Sequence, residues 1–153
     1  TGLGQGNAVE VSASIDWVDH ESGRYDRETT LRIALDSGLV AEVRQDLHTW
    51  PAKKEAVATF ENGSVVWTMG DSSDSVTLLD ANGAQKDRWD FPKERPDDFA
   101  GEISHLEDLL ANPRQPSSLD LEEGLAVMAI ALASLKSSTS GLAETVAALG
   151  ALD

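Results

Sequence analysis

From residue 8 to residue 91, apolar side chains recur at every second position over several short stretches. That spacing lays one side of an extended chain against a core and leaves the other in water. Val9, Val11, Ala13, Ile15 and Trp17 alternate with Glu10, Ser12, Ser14 and Asp16. Leu31, Ile33 and Leu35 repeat the pattern, and Asp36-Ser37-Gly38 separates them from Leu39, Ala41 and Val43, as in a hairpin whose glycine supplies a positive φ. Ala56, Ala58 and Phe60 lead through Glu61-Asn62-Gly63 into Val65, Trp67 and Met69. Asn-Gly between two alternating runs is a strong short-range hairpin signal. Val76 to Leu79, the turn Asp80-Ala81-Asn82-Gly83 and the run Gln85 to Phe91 form a last, more polar hairpin. The pattern predicts an antiparallel meander of about six to eight strands over residues 8–91.

After Pro92 the period changes. Phe99, Ile103, Leu106 and Leu110 stand at steps of four, three and four behind Pro96-Asp97-Asp98, whose acids suit a helix N-terminus. A helix is predicted over 97–112, closed by Asn112-Pro113. A second is predicted over 119–138, with Asp120 and Glu123 in capping-box spacing and an apolar stripe of Leu121, Leu125, Met128, Leu132 and Leu135. Leu142 to Asp153 reads as either a last strand or a short helix. Strands followed by helices imply one α+β domain over residues 1–153: an open-faced, mainly antiparallel sheet with helices packed on one face. The other face is free for a ligand or a second copy of the chain.

Composition narrows the partners. The chain carries 27 Asp and Glu against 12 Lys and Arg, a net charge of −15 over 153 residues, and its longest run of basic residues is Lys53-Lys54. Such a surface repels nucleic acid and anionic membranes. The absence of cysteine leaves no disulfide framework and no thiolate, which suits the cytoplasm. The longest fully apolar run, Leu125 to Ala133, is 9 residues, well short of the roughly 20 a membrane helix needs. Because the sequence opens on Thr1 without an initiator Met, the chain is expected to be either processed or a piece of something longer.

Few constellations point to chemistry. Gly2-Leu3-Gly4-Gln5-Gly6 has a dinucleotide-loop look, yet a strand follows it where the pyrophosphate needs a helix N-terminus, so it reads as a connector. Glu102 and His105 share iron-ligand spacing on a helix, but a di-iron site needs two such pairs and two further glutamates. His20, His48 and His105 are too far apart in sequence for a histidine metal motif, and no G-x-S-x-G elbow is present. Asp16, Asp19, Glu21, Asp26, Asp71 and Asp74 supply loop carboxylates that a glycosidase would need, and that a −15 surface has in any case. No catalytic, cofactor-binding or metal-ligating residue is assigned. In the stretch Arg44 to Lys54, strand alternation puts Arg44, Asp46, His48 and Trp50 on one face. Arg44, His48 and Trp50 are therefore the candidate substrate or interface residues, either stacking on a sugar-like ligand or meeting another sheet.

The order and wording of these segments resemble the C-terminal domain of the Gfo/Idh/MocA family of NAD(P)-dependent oxidoreductases. Ala8 to Ala13, Asp26 to Val43 and the hairpin from Ala56 through Asn62-Gly63 to Val66 are similar to family strands. Phe99, Glu102-Ile103, His105, Leu109, Pro116 and Leu121 to Ser138 follow the family's closing helix pair. Phe60 departs from the pattern, standing where the family usually has the first glycine of its hairpin. The resemblance implies a parent enzyme oxidising or reducing a sugar or polyol hydroxyl with NAD or NADP held by a Rossmann domain. That domain, the Lys-Pro segment and the catalytic helix are not in this sequence, so the chain alone is expected to bind no cofactor and to be inactive. It would serve as the substrate-side domain, forming homo-oligomers through the open sheet. The rival readings are a free-standing dimerisation or ligand-binding module and, behind it, an acidic hydrolase.

Overall fold

The computed structural model describes residues 6–94, 96–113, 115, 117 and 121–147. Gly2 and Gly4, Pro116, Asp120 of the expected capping box and residues 148–153 lie outside them. In chain order the elements are β1 (Ala8–His20), β2 (Gly23–Leu35), β3 (Val40–Asp46), β4 (Glu55–Phe60), β5 (Gly63–Thr68), β6 (Ser73–Asp80), β7 (Gln85–Pro92), α1 (Asp97–Ala111), α2 (Leu121–Ser140) and β8 (Glu144–Thr145). The expected class is found: α+β, with every strand pair antiparallel. The strands stand in two four-stranded sheets, ordered β3-β2-β1-β8 and β4-β5-β6-β7. These belong to two compact units, Thr1–His48 with Pro116–Asp153, and Thr49–Gln115.

In the first unit β1 and β2 form a long hairpin from Ala8↔Leu35 to His20↔Gly23. Its turn is held by the His20 ring, whose Nδ1 accepts the Ser22 backbone N–H at 3.2 Å and meets the Ser22 hydroxyl at 2.9 Å. A register shift falls between Asp16↔Glu28 and Trp17↔Asp26, leaving Arg27 as the extra residue of a β-bulge. Cross-strand register lines up Val11, Ile33 and Ala41 on one face, then Ala13, Leu31 and Val43; the opposite face carries Ser12, Arg32 and Glu42, then Ser14, Thr30 and Arg44. That alternation is what the period-two pattern requires.

Helix α2 packs on β1, where Val11 is fully buried. Its buried residues are small, Ala129, Ala133, Ser134 and Ser137, which lets helix and strand approach closely. β8 pairs only with Glu10 and Val11. The next β1 amide on that side, Ala13 N–H, donates instead to Ser137 Oγ at 2.9 Å, and the same hydroxyl donates to the Leu142 carbonyl at 2.6 Å. A helix side chain thus continues the ladder where the strand runs out.

In the second unit the β4–β5 hairpin closes from Phe60 to Gly63. Gly63 has φ +145°, and a Cβ there would collide with the Leu79 carbonyl oxygen of β6, so glycine is required by both conformation and space. The β6–β7 turn is an Asx arrangement in which Asp80 Oδ1 accepts the N–H groups of Asn82 (2.9 Å) and Ala84 (3.0 Å). Of α1's apolar stripe, Phe99, Ile103, Leu106 and Leu110 are all more than half exposed.

Candidate functional site

The bulge organises the polar end of the first sheet. Arg27 Nε donates to Asp16 Oδ2 at 2.7 Å, and Arg27 Nη2 lies 2.5 Å from the same oxygen. Its carbonyl accepts Leu47 N–H at 3.1 Å, tying the end of β3 to the bulge. Arg24 lies over the Trp17 ring at 4.9 Å and 3.6 Å from Asp19. Asp26 Oδ2 accepts hydrogen bonds from Thr29 Oγ1 and Gln45 Nε2, each at 3.1 Å. These residues border a cleft of about 340 Å³ lined by Tyr25, Asp26, Arg27, Gln45, Asp46 and Leu47. Its walls offer carboxylates, a guanidinium, an amide and one aromatic ring, groups that hydrogen-bond and stack on a polyhydroxylated molecule.

Arg44, His48 and Trp50 are placed differently from one another. Arg44 is on β3 opposite Thr30, with Nη2 3.2 Å from Glu28 Oε1. β3 ends at Asp46, so the period-two argument stops two residues before His48. The His48 backbone N–H donates to Asp46 Oδ1 at 2.8 Å. Trp50 belongs to the second unit, is 89% exposed and precedes a cis peptide bond to Pro51. Arg44 and His48 contact Glu28 and Asp46 respectively, rather than each other. Sequence reasoning missed Tyr25, Arg27, Gln45 and Leu47 as a cleft, because a bulge leaves no mark in hydrophobic periodicity. The only available signal was Asp26, noted as a loop acid and as the start of a family-like segment.

The glycine-rich segment shows no phosphate cradle where it is described. Gly6 leads into β1, a Cβ on it would strike the Asp36 carboxylate, and Asn7 N–H donates to that carboxylate at 3.0 Å. An anion at that place opposes a pyrophosphate. Among the described residues no three His, Asp or Glu side chains are grouped to hold a metal ion, and no helix is long and apolar enough to cross a membrane.

In the second unit, the Lys93 ammonium at 2.6 Å, aided by Gly70 N–H at 3.3 Å, holds the Asp74 carboxyl below its ordinary pKa against a smaller opposing effect of burial. The Trp67 side chain acts weakly in the same direction. Asp80 is lowered chiefly by the Ala84 and Asn82 amides, and Asp90 by the Arg88 guanidinium, which donates to it at 2.8 and 3.1 Å. These are structural pairs, each pinning a turn or an outer strand.

No protein-family model and no curated protein matches the chain. Solved structures do. An oxidoreductase from Agrobacterium radiobacter in complex with NAD+, L-tartaric acid and magnesium matches with a TM-score of 0.63 and 14% identity over 93% of this chain and 44% of its own. The WlbA dehydrogenase from Bordetella pertussis, in complex with NADH and UDP-GlcNAcA, gives 0.57 and 17% over 93% and 41%. An NAD binding oxidoreductase from Klebsiella pneumoniae gives 0.55 and 13% over 92% and 46%. The chain therefore spans less than half the length of these three proteins, and it shares the fold of the matched portion of each.

Proposed function

We propose that residues 1–153 act as one substrate-side domain of a cytoplasmic NAD(P)-dependent oxidoreductase that works on a sugar or polyol hydroxyl. The observation that carries this reading is the fold, matched over 92–97% of this chain by 41–50% of six oxidoreductase structures. Hydride transfer needs a cofactor bed and a group that moves the hydroxyl proton within hydrogen-bond reach. In this reading both come from a Rossmann part of the parent enzyme. This chain contributes the polar cleft beside the Arg27 bulge, with Arg44, His48 and Trp50 as weaker candidates at the substrate or the assembly surface. Hydroxylated acids and nucleotide sugars, exemplified by the tartrate and UDP-GlcNAcA bound in two of the matched proteins, are the chemical range in which the substrate is sought. The parent assembles as a homo-oligomer through an open sheet.

The test is made on the complete gene product. NAD- or NADP-linked turnover on a panel of sugars, polyols and sugar acids is expected there and absent from the 153-residue chain, which should bind NADH no tighter than millimolar. Submicromolar NADH binding by the chain itself, or a complete gene product without a nucleotide-binding segment, would overturn the proposal.

A further inference from the structure

Four asparagines stand in the chain, in the pairs Asn7-Ala8, Asn62-Gly63, Asn82-Gly83 and Asn112-Pro113, and the residue after each decides its chemistry. The side-chain amide carbon of an asparagine can close a five-membered ring with the backbone nitrogen of the next residue. Closure needs a removable proton on that nitrogen and room for the two groups to meet. Proline has no such proton, and a Cβ obstructs the approach that glycine permits. Asn112 is thereby excluded. Asn7 is restrained as well, since its Nδ2 donates to Asp36 Oδ2 at 3.3 Å and its backbone N–H to Oδ1 at 3.0 Å.

The two Asn-Gly pairs share a dipeptide and differ in their surroundings. Gly63 opens β5, opposite Phe60 of β4 on one side and Asp80 of β6 on the other, with the Leu79 carbonyl oxygen where a Cβ would stand. Its peptide cannot turn without opening the ladder on both sides. Gly83 lies between β6 and β7, is exposed and has open space around it. The bond to break there runs from Gly83 N–H to the Asp80 carbonyl at 2.9 Å. Asn82 is exposed too, and its side-chain amide has no hydrogen-bond partner among the described residues.

We propose that Asn82 is a self-modification site, at which an exposed turn converts to an isoaspartyl linkage that unfastens β7. The Gly83 nitrogen attacks Asn82 Cγ. The N–Cγ bond forms, the Cγ–Nδ2 bond breaks, and ammonia leaves carrying the Gly83 proton. Water then opens the cyclic imide at either carbonyl. Cleavage of the new N–Cγ bond gives aspartate. Cleavage of the original bond between Gly83 N and the Asn82 carbonyl carbon gives isoaspartate, whose main chain runs through the former side chain. Water is the co-reactant, and nothing is oxidised or reduced.

Isoaspartate lengthens the main chain by a methylene inside a closely tied turn. Asp80 Oδ1 accepts Asn82 N–H at 2.9 Å and Ala84 N–H at 3.0 Å, and Asp80 N–H donates to the Ala84 carbonyl at 2.9 Å. Both sides of the new linkage are thus held to one residue. The carboxylate released at position 82 also stands near that of Asp80 and repels it. β7 is the outer strand of its sheet and pairs with β6, so disruption of the turn is felt along Gln85–Pro92.

The chain is aged in warm, mildly alkaline buffer and mapped by fragment-ion mass spectrometry, and carboxyl methylation by an isoaspartyl methyltransferase with a labelled methyl donor counts the isoaspartate. In the folded chain Asn82 should convert at least tenfold faster than Asn62, a difference of ~1.4 kcal/mol in barrier. In urea, where the ladders are gone, the two should convert alike. Amide exchange over residues 85–91 should rise at least tenfold in the aged chain. Asn82→Asp, which carries the charge on an ordinary backbone, should keep the protection of the unaged chain. Equal conversion of Asn62 and Asn82 in the folded chain, or an intact Asn82 after ageing, overturns the proposal. So does unchanged β7 exchange in the aged chain, or an equal loss of protection in Asn82→Asp.

Discussion

Replacing Ser137 with alanine removes one hydroxyl, and we expect it to cost about 2 kcal/mol. Ser137 is 2% exposed, and its Oγ is the acceptor for Ala13 N–H at 2.9 Å and the donor to the Leu142 carbonyl at 2.6 Å. β8 pairs with Glu10 and Val11 only, so among the described residues no strand stands ready to accept the Ala13 amide once the hydroxyl is gone. A buried donor left without a partner costs ~1–3 kcal/mol, and the loss of the Leu142 bond adds to it, partly offset by water reaching the half-open carbonyl. Ser134→Ala is the internal control. That residue is equally buried, but its hydroxyl bonds only to the Ile130 carbonyl of its own helix at 2.8 Å, so its loss should stay within ~0.5 kcal/mol. Urea unfolding followed by circular dichroism measures the two differences. Amide hydrogen exchange then locates the effect: Ala13 protection should fall roughly 30-fold in Ser137→Ala, as a tenfold change corresponds to ~1.4 kcal/mol. A destabilisation below ~0.5 kcal/mol, or unchanged exchange at Ala13, would refute the view that a helix hydroxyl completes this strand's bonding.

Gly63→Ala should destabilise by more than ~3 kcal/mol, because a positive φ and the Leu79 carbonyl both oppose a Cβ; Gly83→Ala, at φ +80° with open space around it, should cost only ~1–2 kcal/mol by the same unfolding assay. Val11→Ala, at the one fully buried large side chain among the described residues, is expected to cost ~2 kcal/mol; Trp50→Ala, with its ring 89% exposed, should lie within ~0.5 kcal/mol of the parent. Asp74, Asp80 and Asp90 titrate lower in the folded than in the unfolded chain, so the stability they confer is present above the ordinary Asp pKa near ~4 and drains away as pH falls through their folded values. Tryptophan fluorescence against pH should therefore show unfolding of the second unit beginning below about pH 4, shifted upward in Lys93→Met.

Turns and local periods were legible in the sequence because they are local physics. Asp36-Ser37-Gly38 turns β2 into β3 with Gly38 at φ +85°, and Asn62-Gly63 joins β4 to β5 even though Phe60 lacks the expected glycine. What period-two alternation does not encode is which strands become neighbours. Nothing in the residues between Asp46 and Glu55 announces that the pairing breaks into two sheets there. The α1 stripe shows the same limit from the other side: its spacing reads correctly as a helix, yet Phe99 and Leu110 are 61 and 81% exposed. At the candidate site, alternation reached Arg44 but overran the end of β3 before His48, and the cleft arises from one inserted residue, Arg27, that no pattern marks.

The same inserted residue bears on solubility. Beyond Ala13 the outer backbone of β1 has no strand beside it among the described residues, so Ile15 to Asp19 would be a template on which another extended chain could build. The irregularity at Asp16 and Trp17 coils the ribbon at this stretch, and Asp16 and Asp19 stand along it. A flat, regular hairpin of the same length would offer a straight row of amides to every passing strand. By carrying one residue too many on β2, the chain spoils that row and keeps an acidic, twisted border where fibrillar stacking would otherwise begin.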